Sequence, residues 1–429
     1  MRLFPQAALN PGVRKREVFG WAMYDFANSG YTTVVLTAVF NAYFVGVVAD
    51  GAPWGTLAWT LALAASSLVV MLTMPALGAW ADLHAAKKRL LVASTAGCVV
   101  ATAALATVGR GDVAWAVAAV IVSNAFYVYG ETLTAAFLPE LARPDAIGRV
   151  SGWGWSFGYF GGMLALGLGL AVVLAAQARG EPATTFVPIT MLLTAGVYGV
   201  ASLATFALLR ERAVPRPGAV HGLADSLRQL GATWRRARLY RDFGWMLACG
   251  ACYQAGIAVV IALAAVYAEQ VLGFRQAQTM LLVFLVNIAA ALGAFGFGYW
   301  QDRLGAKPAL AITLVGWIAM TVLAFLATGP GLFWAAAVVA GLCMGSSQST
   351  GRAMVGLFAP AAQRAEFYAL WTFATRVSAI VGPVTYGLVT LLTRGNHRLA
   401  ILTTAVFFVL GLATLARVDV ARGIRAANG

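Results

Sequence analysis

Long apolar stretches broken by short polar turns set the pattern of this chain. Read between clusters of Gly, Pro and charge, twelve stretches emerge. They run near 19–49, 54–80, 88–108, 113–139, 150–177 and 184–209, then near 242–268, 276–300, 308–327, 330–358, 366–393 and 398–418. Each matches or exceeds the roughly 20 helical residues that cross a bilayer. None sustains the period-2 alternation of a membrane β-barrel. The pattern predicts an all-α integral membrane protein with twelve transmembrane helices. The longer stretches imply tilt or extension beyond the hydrocarbon.

Composition fixes the class. Of 429 residues, 61% are apolar and only 11% charged, too few charges to cover a water-soluble shell. The net charge of +14 would suggest nucleic acid in a soluble protein. Here the basic residues gather in alternate loops. With both termini inside, twenty-three fall on the inner side and five on the outer, the asymmetry that sets topology. Both termini are therefore expected in the cytoplasm, and no nucleic-acid partner is implied. Arg14, Lys15 and Arg16 precede an apolar run far longer than a signal-peptide core, so the first helix is read as retained. The four Cys lie in apolar runs. Cys249 and Cys252 form a C-G-A-C, but no disulfide framework or metal cluster is visible. With no nucleophile–base set and no phosphate loop, the chain is not read as an enzyme, and no cofactor or metal is expected.

The organisation is two-fold. Span two ends Gly78-Ala-Trp-Ala-Asp82 and is followed by Lys87. Span eight ends Gly298-Tyr-Trp-Gln-Asp302, followed by Arg303 and Lys307. The same G-x-x-x-D before basic residues, half a chain apart, predicts two similar six-helix halves. The expected divisions are 1–209, a cytoplasmic linker 210–241, and 242–429. In the linker, Leu223, Leu227, Leu230 and Trp234 have helical spacing among arginines. A short amphipathic helix on the membrane surface is expected. In the G-x-x-x-D motif, Gly permits close helix approach. The Asp can accept from helix N-termini or basic groups. The basic residues can anchor to the inner leaflet.

These two segments resemble the signature loops of the major facilitator superfamily. The second matches G-x-x-x-D-R-x-G-x-[KR] fully; the first departs at His84 and Ala85 but keeps Lys87. A narrower resemblance lies in span one, Trp21-Ala-Met-Tyr24-Asp25-Phe-Ala-Asn28-Ser29-Gly. It is similar to the bacterial UMF1 branch related to the vacuolar effluxer Atg22. The resemblance implies the major facilitator fold with parallel halves, a bacterial inner membrane, alternating access and a monomer. Its fungal members are associated with amino-acid export. It also implies that spans one, four, seven and ten line the central cavity.

Those four spans carry the richest polar faces. Span one offers Asp25, Asn28 and Thr32; span four offers Asn124, Tyr127 and Glu131. Span seven carries Tyr253 and Gln254, and span ten Gln348 and Arg352. Ionisable groups at membrane depth face a cavity or a partner. Two readings stand side by side. In one, Arg352 grips a substrate carboxylate while Glu131 or Asp25 faces its ammonium. In the other, Arg352 pairs with a carboxylate to close a gate or satisfy buried charge. Arg376 in span eleven is read as structural or coupling. Gly78, Asp82, Lys87, Gly298, Asp302, Arg303 and Lys307 are read as gate residues. Proton coupling is assigned first to Glu131, then to Asp25. Trp153, Trp155 and Tyr159 accompany five glycines in span five, which suggest close helix packing or an aromatic box. The reading is a secondary transporter for a small polar solute, possibly proton-coupled, with amino acids or short peptides favoured. Its partners are that solute and membrane lipids. The alternatives are a lipid or amphiphile flippase of the same fold, and a membrane scaffold or signalling subunit.

Overall fold

A computed structural model describes residues 4–215, 240–272, 274, 276–394 and 396–428. The amphipathic linker helix expected around Leu223, Leu227, Leu230 and Trp234 lies outside these residues. Twelve helices are long and apolar enough to span a membrane. They are α1 (Lys15–Val48), α2 (Gly55–Leu83), α3 (Lys87–Ala104), α4 (Val113–Ala135), α5 (Ile147–Ala178) and α6 (Ala183–Leu208). The second set is α7 (Arg241–Leu272), α8 (Gln276–Leu304), α9 (Ala306–Leu326), α10 (Pro330–Phe358), α11 (Arg364–Leu392) and α12 (His397–Ala416). A short helix, α13 (Val420–Asn428), follows. The apolar runs become helices because lipid leaves no other way to satisfy their backbone.

The two sets form two bundles that pack against each other. Between them α5 lies along α8, α2 along α11, and α5 also against α10. Small residues permit the approach. A Cβ on Gly78 would stand 2.7 Å from the carbonyl oxygen of Ala365, and one on Gly298 would stand 2.8 Å from that of Gly148. Both would collide with backbone of the opposite bundle.

Helix α1 is not α-helical throughout. Wide π turns occupy Tyr31–Ala38 and Phe44–Val48, and the N–H of Val39 donates to the carbonyl five residues back, Val34. Such turns cluster at functional sites in helices. The first begins one residue before Thr32, so the face shared by Asp25 and Asn28 does not continue to Thr32 in α register. Its hydroxyl donates back to the Ser29 carbonyl at 3.0 Å.

The chain before α1 is folded onto its bundle. Asn10 donates from its backbone N–H to Leu141 O and from Nδ2 to the carbonyls of Pro139 and Glu140. Phe4 meets the Trp153 ring edge-on at 5.0 Å. These contacts brace the α4–α5 connection at the end of the molecule that carries the basic loops, here called the basic end.

Candidate functional site

Each G-x-x-x-D motif seats its aspartate on the first turn of a helix in the other bundle. Asp82 accepts from the backbone N–H groups of Ala365 and Glu366 at 3.1 and 2.9 Å, at the start of α11. Asp302 accepts from Gly148 and Arg149 N–H at 2.9 and 3.2 Å, at the start of α5. Both carboxylates satisfy N–H groups that a helix start leaves unpaired, and both lie at its positive pole. Asp302 also takes a charged bond from Arg149 Nε at 2.5 Å.

The basic members of the motifs differ. Lys87 is 1% exposed; it pairs with Glu140 and stands over the Phe137 ring. It is therefore an internal counter-ion, and burial inside the protein replaces the leaflet anchoring expected of it. Lys307 donates to the carbonyls of Ala416 and Val418 at 2.9 and 2.7 Å, tying α9 to the end of α12. Arg303 is exposed. Beside Lys87, burial lifts the Glu211 carboxyl above its ordinary range, while the Lys87 charge and the Lys88 N–H pull it back.

Deeper in, Arg352 from α10 reaches into the opposite bundle. Its Nη1 donates to Asp25 Oδ2 at 2.6 Å, its Nη2 to the Ser151 carbonyl at 2.8 Å, and its Nε to the Ser151 hydroxyl at 3.1 Å. The guanidinium carbon lies 4.8 Å from the Trp21 ring centre and 5.3 Å from that of Trp155. A buried guanidinium held by a carboxylate, a carbonyl and two indole faces has its charge met on every side. Of the two sequence readings for Arg352, this arrangement is the pairing one. Gly154 makes the space: a Cβ there would stand 2.5 Å from Asp25 Oδ2 and 2.6 Å from Arg352 Nη2.

Between α4 and α11, Thr132 and Thr372 share a hydrogen bond of 2.7 Å. Next to Thr132 stands Glu131; one turn beyond Thr372 stands Arg376. Glu131 of one bundle and Arg376 of the other thus flank the same contact between the bundles. Yet neither side chain is in an ion pair within 4 Å among the described residues, and Arg376 Nε is buried without a hydrogen-bond partner. The structure thus adds Arg376, on a helix outside the four expected lining spans, to the group around Glu131.

The other candidates divide. Tyr127 stacks on Tyr31 at 5.2 Å between ring centres. Gln254 and Gln348 join α7 to α10 through paired amides at 2.8 Å; Gln254 is buried and Gln348 half-buried. Asn28 is buried, its Oδ1 3.4 Å from the Ser29 hydroxyl. Asn124 turns toward α2, donating to Ser66 Oγ at 3.0 Å. Tyr253 is fully buried, against Gly351 and Trp371. Ser151 escaped the sequence because a small residue in a glycine-rich helix looks like packing, and Gly154 was legible only as one of the five packing glycines. Trp21 was legible only as part of the span-one motif.

Among the described residues, every hydrogen bond and ion pair between the bundles lies toward the basic end. These polar contacts hold the two bundles together there, and Glu131 and Arg376 flank the Thr132–Thr372 contact.

A family model described as vacuole effluxer Atg22-like matches residues 58–428. The chain belongs to the Atg22-like family. It is 25% identical over 406 residues to the uncharacterized MFS-type transporter YxiO of Bacillus subtilis, covering 92% of this chain and 93% of that one. It is 28% identical over 301 residues to autophagy-related protein 22-1 of Aspergillus niger, covering 65% of this chain and 48% of that one. The alignment thus spans about half the fungal protein. Among solved structures, the human organic anion transporter MFSD10 superposes with a TM-score of 0.71 at 15% identity, over 94% of this chain and 99% of that one. The proton:xylose symporter XylE gives 0.73 at 14%, over 93% and 94%. These likenesses show the major facilitator fold. This Atg22-like chain is a multi-pass membrane protein with twelve spans in the major facilitator fold.

Proposed function

We propose that this chain is a secondary transporter that carries a small zwitterionic solute, an amino acid or short peptide, held between Glu131 of one half and Arg376 of the other. The observation that carries this is an opposite-charge pair flanking the Thr132–Thr372 contact across the interface, in no ion pair within 4 Å among the described residues, with one guanidinium nitrogen buried and unpartnered. A carboxylate would meet Arg376 through two parallel bonds, and an ammonium would meet Glu131. A neutral sugar would leave both charges unanswered at several kcal/mol. The name of the matching family, which speaks of a vacuole effluxer, supports movement of a solute across the membrane.

One carboxylate cannot hold a proton and an ammonium at once. Coupling at Glu131 is therefore exchange: the solute's ammonium displaces the proton, and the proton returns as the solute leaves. The test is uptake into proteoliposomes of purified protein, with radiolabelled amino acids, dipeptides, sugars and headgroup-labelled lipids. Saturable amino-acid or dipeptide flux is expected, stimulated by a pH gradient acid on the side opposite the solute. It should fall at least about tenfold in Glu131→Gln and in Arg376→Gln, the cost of about one lost charged contact. Lipid flux unaffected by these changes would support the flippase, and no flux of any kind the scaffold.

A further inference from the structure

The recess around Arg352 is built by one bundle and filled by the other. Trp21 and Asp25 come from α1, and Ser151, Gly154 and Trp155 from α5. Only the guanidinium comes from across the interface. These two helices are tightly joined within their bundle: a Cβ on Gly161 would stand 2.0 Å from the Phe26 carbonyl, and one on Gly158 would stand 2.9 Å from Ser29 Oγ. The recess therefore moves as a unit with its own half.

Opening the basic end requires α10 to withdraw Arg352. The two indole faces, the Asp25 carboxylate and the Ser151 carbonyl then remain together without the charge they enclosed. A buried carboxylate that loses its partner is costly. Aromatic faces around a carboxylate are also the set of groups that recognises an organic cation. The space is already shaped for a planar guanidinium, because Gly154 keeps a methyl group out of it.

We propose that the recess vacated by Arg352 is a binding site for an organic cation, a guanidinium or alkylammonium group, presented from the basic side. This rests on the alternating-access reading but not on the identity of the solute at Glu131 and Arg376. Arg352 is then an internal competitor. A cation bound in the recess holds the basic end open, and re-entry of Arg352 expels it as the end closes. A solute carrying a cationic group engages this site first and is released from it toward Glu131, the next carboxylate along the interface.

The test uses full-length Arg352→Ala protein, in which the recess is empty without any change of state. Its thermal unfolding is followed against methylguanidinium, with the neutral isostere methylurea as control. The expected result is a saturable rise in Tm with methylguanidinium and none with methylurea. Affinity should drop at least about tenfold when Asp25→Asn or Trp155→Leu is added. Equal shifts from the two compounds, or a shift that survives Asp25→Asn, overturn the proposal. If Arg352→Ala does not fold, the wild type carries the test through spin-label distances across the basic end. Methylguanidinium should lengthen them and methylurea should not; no lengthening overturns the proposal. Adding Glu131→Gln should leave methylguanidinium binding intact, so a failed zwitterion reading and a failed cation recess give different results.

Discussion

Gly154 shapes the Asp25–Arg352 contact although it has no side chain. An added methyl group would overlap Asp25, Arg352 and Trp21 at 2.5–2.7 Å, and the helix backbone leaves it no other direction. Gly154→Ala should therefore destabilise the protein by about 1–3 kcal/mol, the usual cost of overpacking. Gly167→Ala in the same helix is the control, since nothing lies within 4 Å of its Cβ position; thermal unfolding of the two variants checks the difference. Glu131 and Arg376 should behave as a coupled pair. Each single neutralisation removes one charge of the pair and leaves the other, so the Glu131→Gln, Arg376→Gln double variant should be more stable than the sum of the single effects, while transport stays lost. A double-mutant cycle measures this. The polar residues themselves were legible in the sequence, because charge at membrane depth stands out. Their partners were not. Asp25 and Arg352 meet from opposite ends of the chain, and Asn124 points to α2 although its spacing shares a face with Tyr127 and Glu131.

At the scale of elements, the two halves use one device twice. Each motif aspartate accepts two N–H groups at the start of a helix in the other half. Replacement by Asn keeps an acceptor but loses the charge at the helix pole, worth about 0.3–1 kcal/mol. Asp302 additionally holds Arg149, whereas among the described residues Asp82 accepts backbone groups alone. Asp302→Asn should therefore loosen the basic end more than Asp82→Asn, seen as faster alkylation of a cysteine placed at Ser151. The helices were the most legible part of the fold. Their observed ends lie within a few residues of the expected ones, because apolar length and loop charge both mark them. The π turns of α1 left no such trace: Tyr31–Ala38 reads as ordinary β-branched apolar helix, and the wide turn depends on tertiary packing around Tyr31, whose hydroxyl meets Ser123 at 2.8 Å. Lys87 misled for a related reason. A lysine next to a membrane boundary normally snorkels, and only the folded α4–α5 connection brings Glu140 to it.

For the whole molecule, the charges lying deeper between the bundles than the motif aspartates divide by sign. Carboxylates at Asp25 and Glu131 belong to the first half, and guanidiniums at Arg352 and Arg376 to the second. One pair is closed and the other is not, so the interface is held at Asp25–Arg352 and not at Glu131–Arg376. Rocking the halves must break the Asp25–Arg352 bond and the two aspartate caps together, which makes the basic end a cooperative lock. The most direct test is a pair of distance measurements by electron paramagnetic resonance, one across each end. Labels at Asp145 and Arg303 report the basic end, and labels at Gln177 and Leu392 the other. The solute-free protein should show a short, narrow distance between the first pair and a long one between the second. Arg352→Ala together with a transported solute should lengthen the first and shorten the second in the same molecules. Distances that stay fixed, or that change at one end alone, would contradict a lock at Asp25–Arg352 that governs access to the Glu131–Arg376 pair.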